Sequence, residues 1–446
     1  MIEVPEPLEE VYIAFNWQGP TGPLPNSTTP DLLTLASKIP GIQIPHTEYN
    51  LMDDRWGLIT KSSGPFYNDS NFRVLGCNEL RAKDKFILLF VLGHQNGFDC
   101  NFKPPHDIIS ESNTVNQTLD LIRGGNGYLV IDHALEAFVW DNHLNYIREF
   151  CRYHNLPMNK VIYVTGTGNT QKIYSEYVMR NGILPEDRMH LVQHFPSTQN
   201  FASDAYLQKQ PEPLYRLDIE PSHLFLCFNK RSRMHRIVLA TMFAKYNLLE
   251  HSLFSLQEHD ENGNIKGNIN MDMIQAHGLT HRDLDKLYDS FPLNIDNLNQ
   301  VPDPIYDGDS DMTPFYQDSL VSVCTETSFH TNVMALTEKC IKPIKYKHPF
   351  ILVATQGTLA RLKEFGYKTF DTWWDEGYDD IIDHNDRMDA IVNICRDIAT
   401  WDQEKIKQFR NDVKETLNHN YRIFIDNPWS RAYGEVYDIV VNKKLL

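Results

Sequence analysis

The chain has 446 residues, 42 Lys and Arg against 59 Asp and Glu, and a formal net charge of -17. Such a length exceeds one ordinary core and implies two or three domains, and 41% hydrophobic with 23% charged residues is the balance of a soluble globular protein. The acidic excess argues against non-specific binding to nucleic acid, while a local basic site for a small anion stays open.

The N-terminal stretch MIEVPEPLEEVYIAFNW is acidic and interrupted by proline, unlike a secretory signal. No apolar run approaches the roughly 20 residues needed to span a bilayer. The expectation is a cytoplasmic protein (host cytoplasm if viral) with no membrane partner. Seven cysteines at 77, 100, 151, 227, 324, 340 and 395 are widely spaced without a CxxC, which fits reduced thiols. The sequons at Asn26, Asn68 and Asn116 are then expected to be unused.

In chain order, short apolar runs predict strands at 11–17, 85–93, 127–132, 160–166 and 189–195. Helical patterns at 141–155 and 169–182 separate the later ones, with Asn169 placed to cap the second helix and Gly182 to end it. Strands alternating with helices imply a parallel sheet. Periodicity lapses over the proline-bearing stretch 207–223, which reads as a linker. Alternation then resumes with a strand at 224–230, a helix at 234–248 and a strand at 251–256. A polar, Gly- and Asn-rich stretch at 257–275 reads as a surface loop. Beyond it lie a helix at 281–291, a strand at 319–327, a helix at 331–344 stopped by Pro343, and a strand at 349–354. Helices at 357–367, 386–399 and 402–424 complete the pattern. The fold class is α/β, with two Rossmann-like, doubly wound domains, 1–215 and 216–425, and a cleft between them. A tail, 426–446, is expected to pack back on the first domain.

In open parallel sheets ligands bind outside the carboxyl ends of the strands, where helix N-termini favour phosphate. Two stretches fit that rule. In CFNKRSRMHR (227–236) a strand runs into Asn229, Lys230, Arg231, Arg233, His235 and Arg236. Guanidinium groups at a strand-to-helix turn can grip phosphate oxygens with paired bonds; a solvated basic turn is the alternative. In ALTEKCIKPIKYKHPFILV (335–353), Glu338 and Lys339 fall within a helix and diverge by about 100°. They are therefore expected to face different neighbours, Glu338 a pair of ribose hydroxyls and Lys339 a phosphate; a merely solvated Glu–Lys pair is the alternative. Glu326 closes the preceding strand and is expected to point the same way. Lys342, Lys345 and Lys347 are expected on the solvated side.

VSVCTETSF (321–329) followed by ALTEKCIKPIKYKHPFILV resembles the signature of fucosyltransferase-like glycosyltransferases of the GT-B class. That family has a strand ending in an acidic ENS element, then a TEK helix, then a strand beginning with proline. Thr337, Glu338 and Lys339 match TEK. Glu326, Thr327 and Ser328 match ENS in part, since Thr327 stands where the family has Asn. The match covers roughly 320–370, and GTLARLKEFGYKTFDTWWDEGYDD (357–380) is similar to segments of phage and bacterial relatives of these enzymes. The resemblance implies two Rossmann-like domains, the first on the acceptor side and the second binding the nucleotide sugar. It further implies inverting sugar transfer to an acceptor hydroxyl, with no metal and no cofactor besides the donor. The acceptor stays open among a glycan, a protein and a modified nucleobase, and oligomeric state is not legible. The donor site would draw on Asn229, Lys230, Arg231, Arg233, Arg236, Glu326, Thr337, Glu338 and Lys339. A general base for the acceptor is expected from YLVIDHALEAFVWD (128–141) in the first domain, with Glu136 first, then Asp132, then His133; helix capping by Asp132 is the plainer reading. VTGTGN (164–169) could bring backbone close to a ligand or be a plain tight turn. Trp373 and Trp374 could stack on a sugar or lie in the core. A non-catalytic nucleotide- or carbohydrate-binding protein and another sugar-nucleotide enzyme, such as an epimerase, are the competing readings.

Overall fold

The computed structural model describes residues 11–15, 72–76, 85–91, 113–125, 127–133, 141–193, 212–213, 215–229, 232–257, 259–260, 263–264, 269–293, 295, 312–425, 435–436 and 438–440. The chain divides into two units, Met1–Asn200 with Trp429–Leu446, and Phe201–Pro428. Each is an α/β unit built on a parallel sheet of the Rossmann kind. No helix among the described residues is long and apolar enough to cross a membrane. The five cysteines among the described residues are buried free thiols.

The first unit holds strands β1 (Val11–Phe15), β2 (Phe72–Gly76), β3 (Phe86–Val91), β4 (Gly127–His133), β5 (Val161–Thr165) and β6 (His190–Gln193). They form one parallel sheet in the order β2-β1-β3-β4-β5-β6. Helices α1 (Asn113–Arg123), α2 (Asp141–Tyr153) and α3 (Thr170–Asn181) pair with it. β2 and α1 are additions to the sequence reading. FRVLG carries Arg73 as its second residue and lies at the sheet edge, and NTVNQTLDLIR opens with poor helix formers. Every residue of β5 is buried, as a parallel strand covered on both faces must be. Gly182 ends α3 in the left-handed conformation at φ 61, and its successor Ile183 bonds back to the Val178 carbonyl at 3.1 Å. Asn169 stands at the N-cap without a side-chain capping bond.

The second unit holds β7 (His223–Cys227), β8 (Ser252–Phe254), the short antiparallel pair β9 (His259–Asp260) and β10 (Gly263–Asn264), β11 (Ser319–Thr325) and β12 (Phe350–Val353). Its main sheet is parallel in the order β12-β11-β7-β8. Its helices are α4 (Met234–Lys245), α5 (Met271–Ala276), α6 (His281–Asp289), α7 (Thr313–Gln317), α8 (Glu338–Lys345), α9 (Thr358–Glu364), α10 (His384–Ile398) and α11 (Gln403–Ile425). Ten consecutive residues of α4, His235 to Ala244, are buried, so it is the central helix of this unit.

The described residues of the stretch 257–275 depart from the expected surface loop: they hold the β9–β10 pair and the start of α5, whose first turn Asn270 caps through Asp272 N at 3.0 Å and Met273 N at 3.3 Å. The helix predicted at 331–344 begins only at Glu338 and runs past Pro343 to Lys345.

Buried His348 ties β11 to the turn before β12. Its Nε2 donates to the Ser319 carbonyl at 2.9 Å, and its Nδ1 accepts from Ser322 Oγ at 2.8 Å. Burial lowers its pKa to about 4, against the raising effect of the Ser319 and Pro349 carbonyls. The neutral ring is therefore the native form. An unfolded chain takes up the proton near pH 6.5 and the native chain only near pH 4, so stability is full above about pH 6.5 and falls as pH drops toward 4. Urea titrations are expected to lose about 2 kcal/mol between pH 7 and pH 5 from this residue. The H348Q variant should flatten that slope, and equal slopes in the two proteins would refute the assignment.

Candidate functional site

Winding fixes where a ligand can sit in the second unit. From β7 the chain passes through α4 to β8 on one side, then returns to β11 on the other side of β7 and goes on to β12. The reversal lies between β7 and β11. The carboxyl ends of these two neighbours are where an open parallel sheet leaves a crevice. The basic turn follows β7 and the TEK segment follows β11, so the two stretches singled out in the sequence converge on this edge.

The edge is closely fastened. Three successive carbonyls at the end of β11 each accept a bond from the start of α4: Thr325 O from Arg236 Nη2 at 3.2 Å, Glu326 O from His235 Nε2 at 3.0 Å, and Thr327 O from Arg233 Nη1 at 2.6 Å. Asn229 is buried, accepts from Thr325 Oγ1 at 2.5 Å, and donates to Cys227 Sγ at 3.2 Å. Its backbone N–H meets Ser255 Oγ at 3.1 Å, which joins the ends of β7 and β8. Burial, followed by the charge of Arg233, lowers the Arg236 pKa to about 10, against Cys227, Glu326 and Glu338. Burial and the Arg236 charge hold His235 well below its usual range, so it stays neutral.

Glu326 is 0% exposed. Its carboxylate accepts from Thr337 Oγ1 at 2.6 Å, Thr337 N at 3.1 Å and Thr327 N at 3.1 Å. It thereby clamps both ends of the irregular segment 326–337 and sets the position of α8. Thr337 is the N-cap of that helix and accepts from Lys339 N at 3.4 Å. The segment is held from outside as well. Thr355 Oγ1 donates to the Ser328 and Val333 carbonyls, at 3.3 and 3.1 Å. Buried Arg387 donates to Phe329 O at 2.9 Å and lies 4.7 Å over the Phe329 ring. Of these carbonyls, that of Val333 is one a helix from residue 331 would have used.

Glu338 and Lys339 do not diverge to separate neighbours. As the first residues of α8 they reach each other, Lys339 Nζ lying 2.5 Å from Glu338 Oε1 and 3.2 Å from Thr337 Oγ1. Burial alone would raise the Glu338 pKa, but the Lys339 and Lys342 charges and the Lys339 hydrogen bond hold it at about 2. The Lys339 side chain keeps 26% of its surface. The expectation that Lys345 and Lys347 are solvated is corrected, because they are only 4% and 5% exposed. Lys345 lies 4.7 Å over the Tyr346 ring. Lys347 pairs with Glu212 and lies 4.7 Å over the Tyr421 ring of α11. Aromatic faces and one distant carboxylate give these ammoniums the company that burial demands.

Lys230 and Arg231 lie outside the described residues, as does Glu136. Asp132 and His133 end β4 in register with Val164 and Thr165, at the carboxyl edge of the first unit's sheet. VTGTGN is a turn closed by the protein itself: Gln193 Nε2 donates to Thr167 O at 3.0 Å and Gly168 O at 2.8 Å. Neither Gly166 nor Gly168 takes a positive φ, so the turn does not need glycine's freedom there. Arg387 and Thr355 are additions to the sequence reading. A lone arginine beside Met388 on the apolar stripe of 386–399 is the signal that could have exposed the first. Among the described residues no group of three or more His, Cys, Asp or Glu side chains could hold a metal ion.

No family model matches the chain, and no curated protein matches it in sequence. Among solved structures it is similar to an α,α-trehalose-phosphate synthase (UDP-forming) from Burkholderia vietnamiensis, at 10% identity and a TM-score of 0.39 over 96% of this chain and 99% of that one. It is similar also to a glycosyltransferase from Rickettsia africae ESF-5, at 9% identity and a TM-score of 0.39 over 98% of this chain and 100% of that one.

Proposed function

We propose that the protein is a glycosyltransferase that moves a sugar from a nucleotide-sugar donor to an acceptor hydroxyl, with inversion and without a metal. One observation carries this reading. The basic turn is bonded to the end of β11, 89 and 94 residues later in sequence, where Glu326 also holds Thr337 of the TEK segment, at the winding reversal of the second unit. In this proposal Lys339 and Arg233, with Lys230 and Arg231 of the same turn, neutralise the diphosphate as it leaves the sugar. That is where negative charge develops in such a transfer. Glu338, kept ionised by its lysine neighbours, receives the ribose hydroxyls. Asn229, Arg236, Glu326 and Thr337 position these groups. The base is drawn from Glu136, Asp132 and His133.

Calorimetry with UDP, GDP and CMP tests the donor site. The preferred nucleotide is expected to bind K339A roughly 10- to 100-fold more weakly, corresponding to about 1.5–3 kcal/mol for a hydrogen bond to a charged group. An unchanged affinity would remove Lys339 from the site. Binding of a nucleotide without any turnover of its sugars would favour the non-catalytic reading.

A further inference from the structure

A second concavity lies on the second unit and shares no lining residue with the edge just described. It has a volume of about 560 Å³ between the turn at 369–373 and one face of α11, within the roughly 300–1,000 Å³ of small-molecule sites. Trp373 lines it and is half-buried. Its ring is braced by Trp401 at 5.7 Å and by Phe409 edge-on at 5.1 Å, so the indole is a supported platform. Around it stand Thr372, Lys405, Gln408, Asp412 and Thr416, the last four along one stripe of α11. Among the described residues the side chains of Thr372, Gln408, Asp412 and Thr416 make no hydrogen bond within the chain. Lys405 leans over the Trp401 ring at 4.5 Å.

We infer that this concavity, floored by Trp373 and rimmed by Gln408, Asp412 and Thr416, binds a neutral saccharide. An indole presents a flat apolar face with a polar handle, which matches the C–H face of a pyranose. The rim supplies amide, carboxylate and hydroxyl groups for sugar hydroxyls. One cation and one anion cancel there, so a phosphate finds none of the clustered cations it requires. Phe370 and Val413, the other apolar lining residues, are buried, which leaves too little apolar surface for a protein partner. The inference does not depend on the donor assignment, since neither site borrows a residue from the other.

The test titrates the full chain with maltotriose, cellotriose and triacetylchitotriose up to about 10 mM, read by calorimetry and indole fluorescence. At least one is expected to bind, with its Kd raised about tenfold or more by W373A and by D412A. Asp412 is exposed, so D412A tests the rim without disturbing the core. The affinity of D412A for nucleotide should match that of the parent, which separates this site from the donor edge. No binding by any of the three sugars overturns the inference, and so does sugar binding that D412A and W373A both leave unchanged.

Discussion

Replacing Glu326 by alanine is expected to lower the free energy of unfolding by about 3 kcal/mol or more and to weaken nucleotide binding as well. The carboxylate is fully buried and receives two backbone N–H groups and one hydroxyl, all at the ends of segment 326–337. Its removal strands those donors away from water, and each stranded donor costs about 1–3 kcal/mol. The segment also carries Thr337, the cap on which Lys339 N and Nζ both converge. Loosening it therefore disperses the cationic group proposed to meet the diphosphate. E326Q keeps one carboxyl-like oxygen and should fall between alanine and the parent. Urea midpoints at constant m-value measure the first effect and calorimetry with the preferred nucleotide the second. A midpoint and an affinity both unchanged in E326A would mean that the clamp is not the element that sets the site.

The parts of this architecture that were legible in the sequence are those that local pattern dictates. β11 and β12 are buried throughout, as their short runs rich in Val, Ile, Leu and Phe suggest for strands covered on both faces. Gly182 was legible for the same reason, because only a left-handed cap calls for it. What escaped was set by partners far away in sequence. Lys347 reads as a surface residue until Glu212, 135 positions earlier, and Tyr421 are known to meet it. The start of α8 lies at 338 rather than 331 because the stretch before it is fixed by distant side chains: Thr355 takes the Val333 carbonyl, and Glu326 holds Thr337 as the N-cap. The basic turn was legible as a cluster but not in its division of labour. Arg236 is buried against the end of β11, whereas Lys339 keeps surface to offer a ligand. Charge alone cannot separate a staple from a binding group; the number of carbonyls within reach does.

The largest effect is expected from Glu136. E136Q should lower turnover by roughly 10²–10⁴, the usual contribution of a positioned acid or base. Nucleotide affinity should stay at the parent value, because Glu136 belongs to the first unit and the cations of the donor edge to the second. The expectation rests on the sequence order YLVIDHALEAF, in which the residue follows β4 shortly after its carboxyl edge. A base must be unprotonated to accept the acceptor's proton, so activity should fall as pH drops through its pKa. The glutamine variant should lose that acid limb. Chelators should leave turnover intact, since the proposal gives the work of a metal to Lys339 and the basic turn. Full activity in E136Q would transfer the role to Asp132 or His133, which end β4 in register with Val164 and Thr165. Loss of activity in EDTA, restored by Mn²⁺, would instead show that the departing diphosphate needs a divalent ion beside those cations.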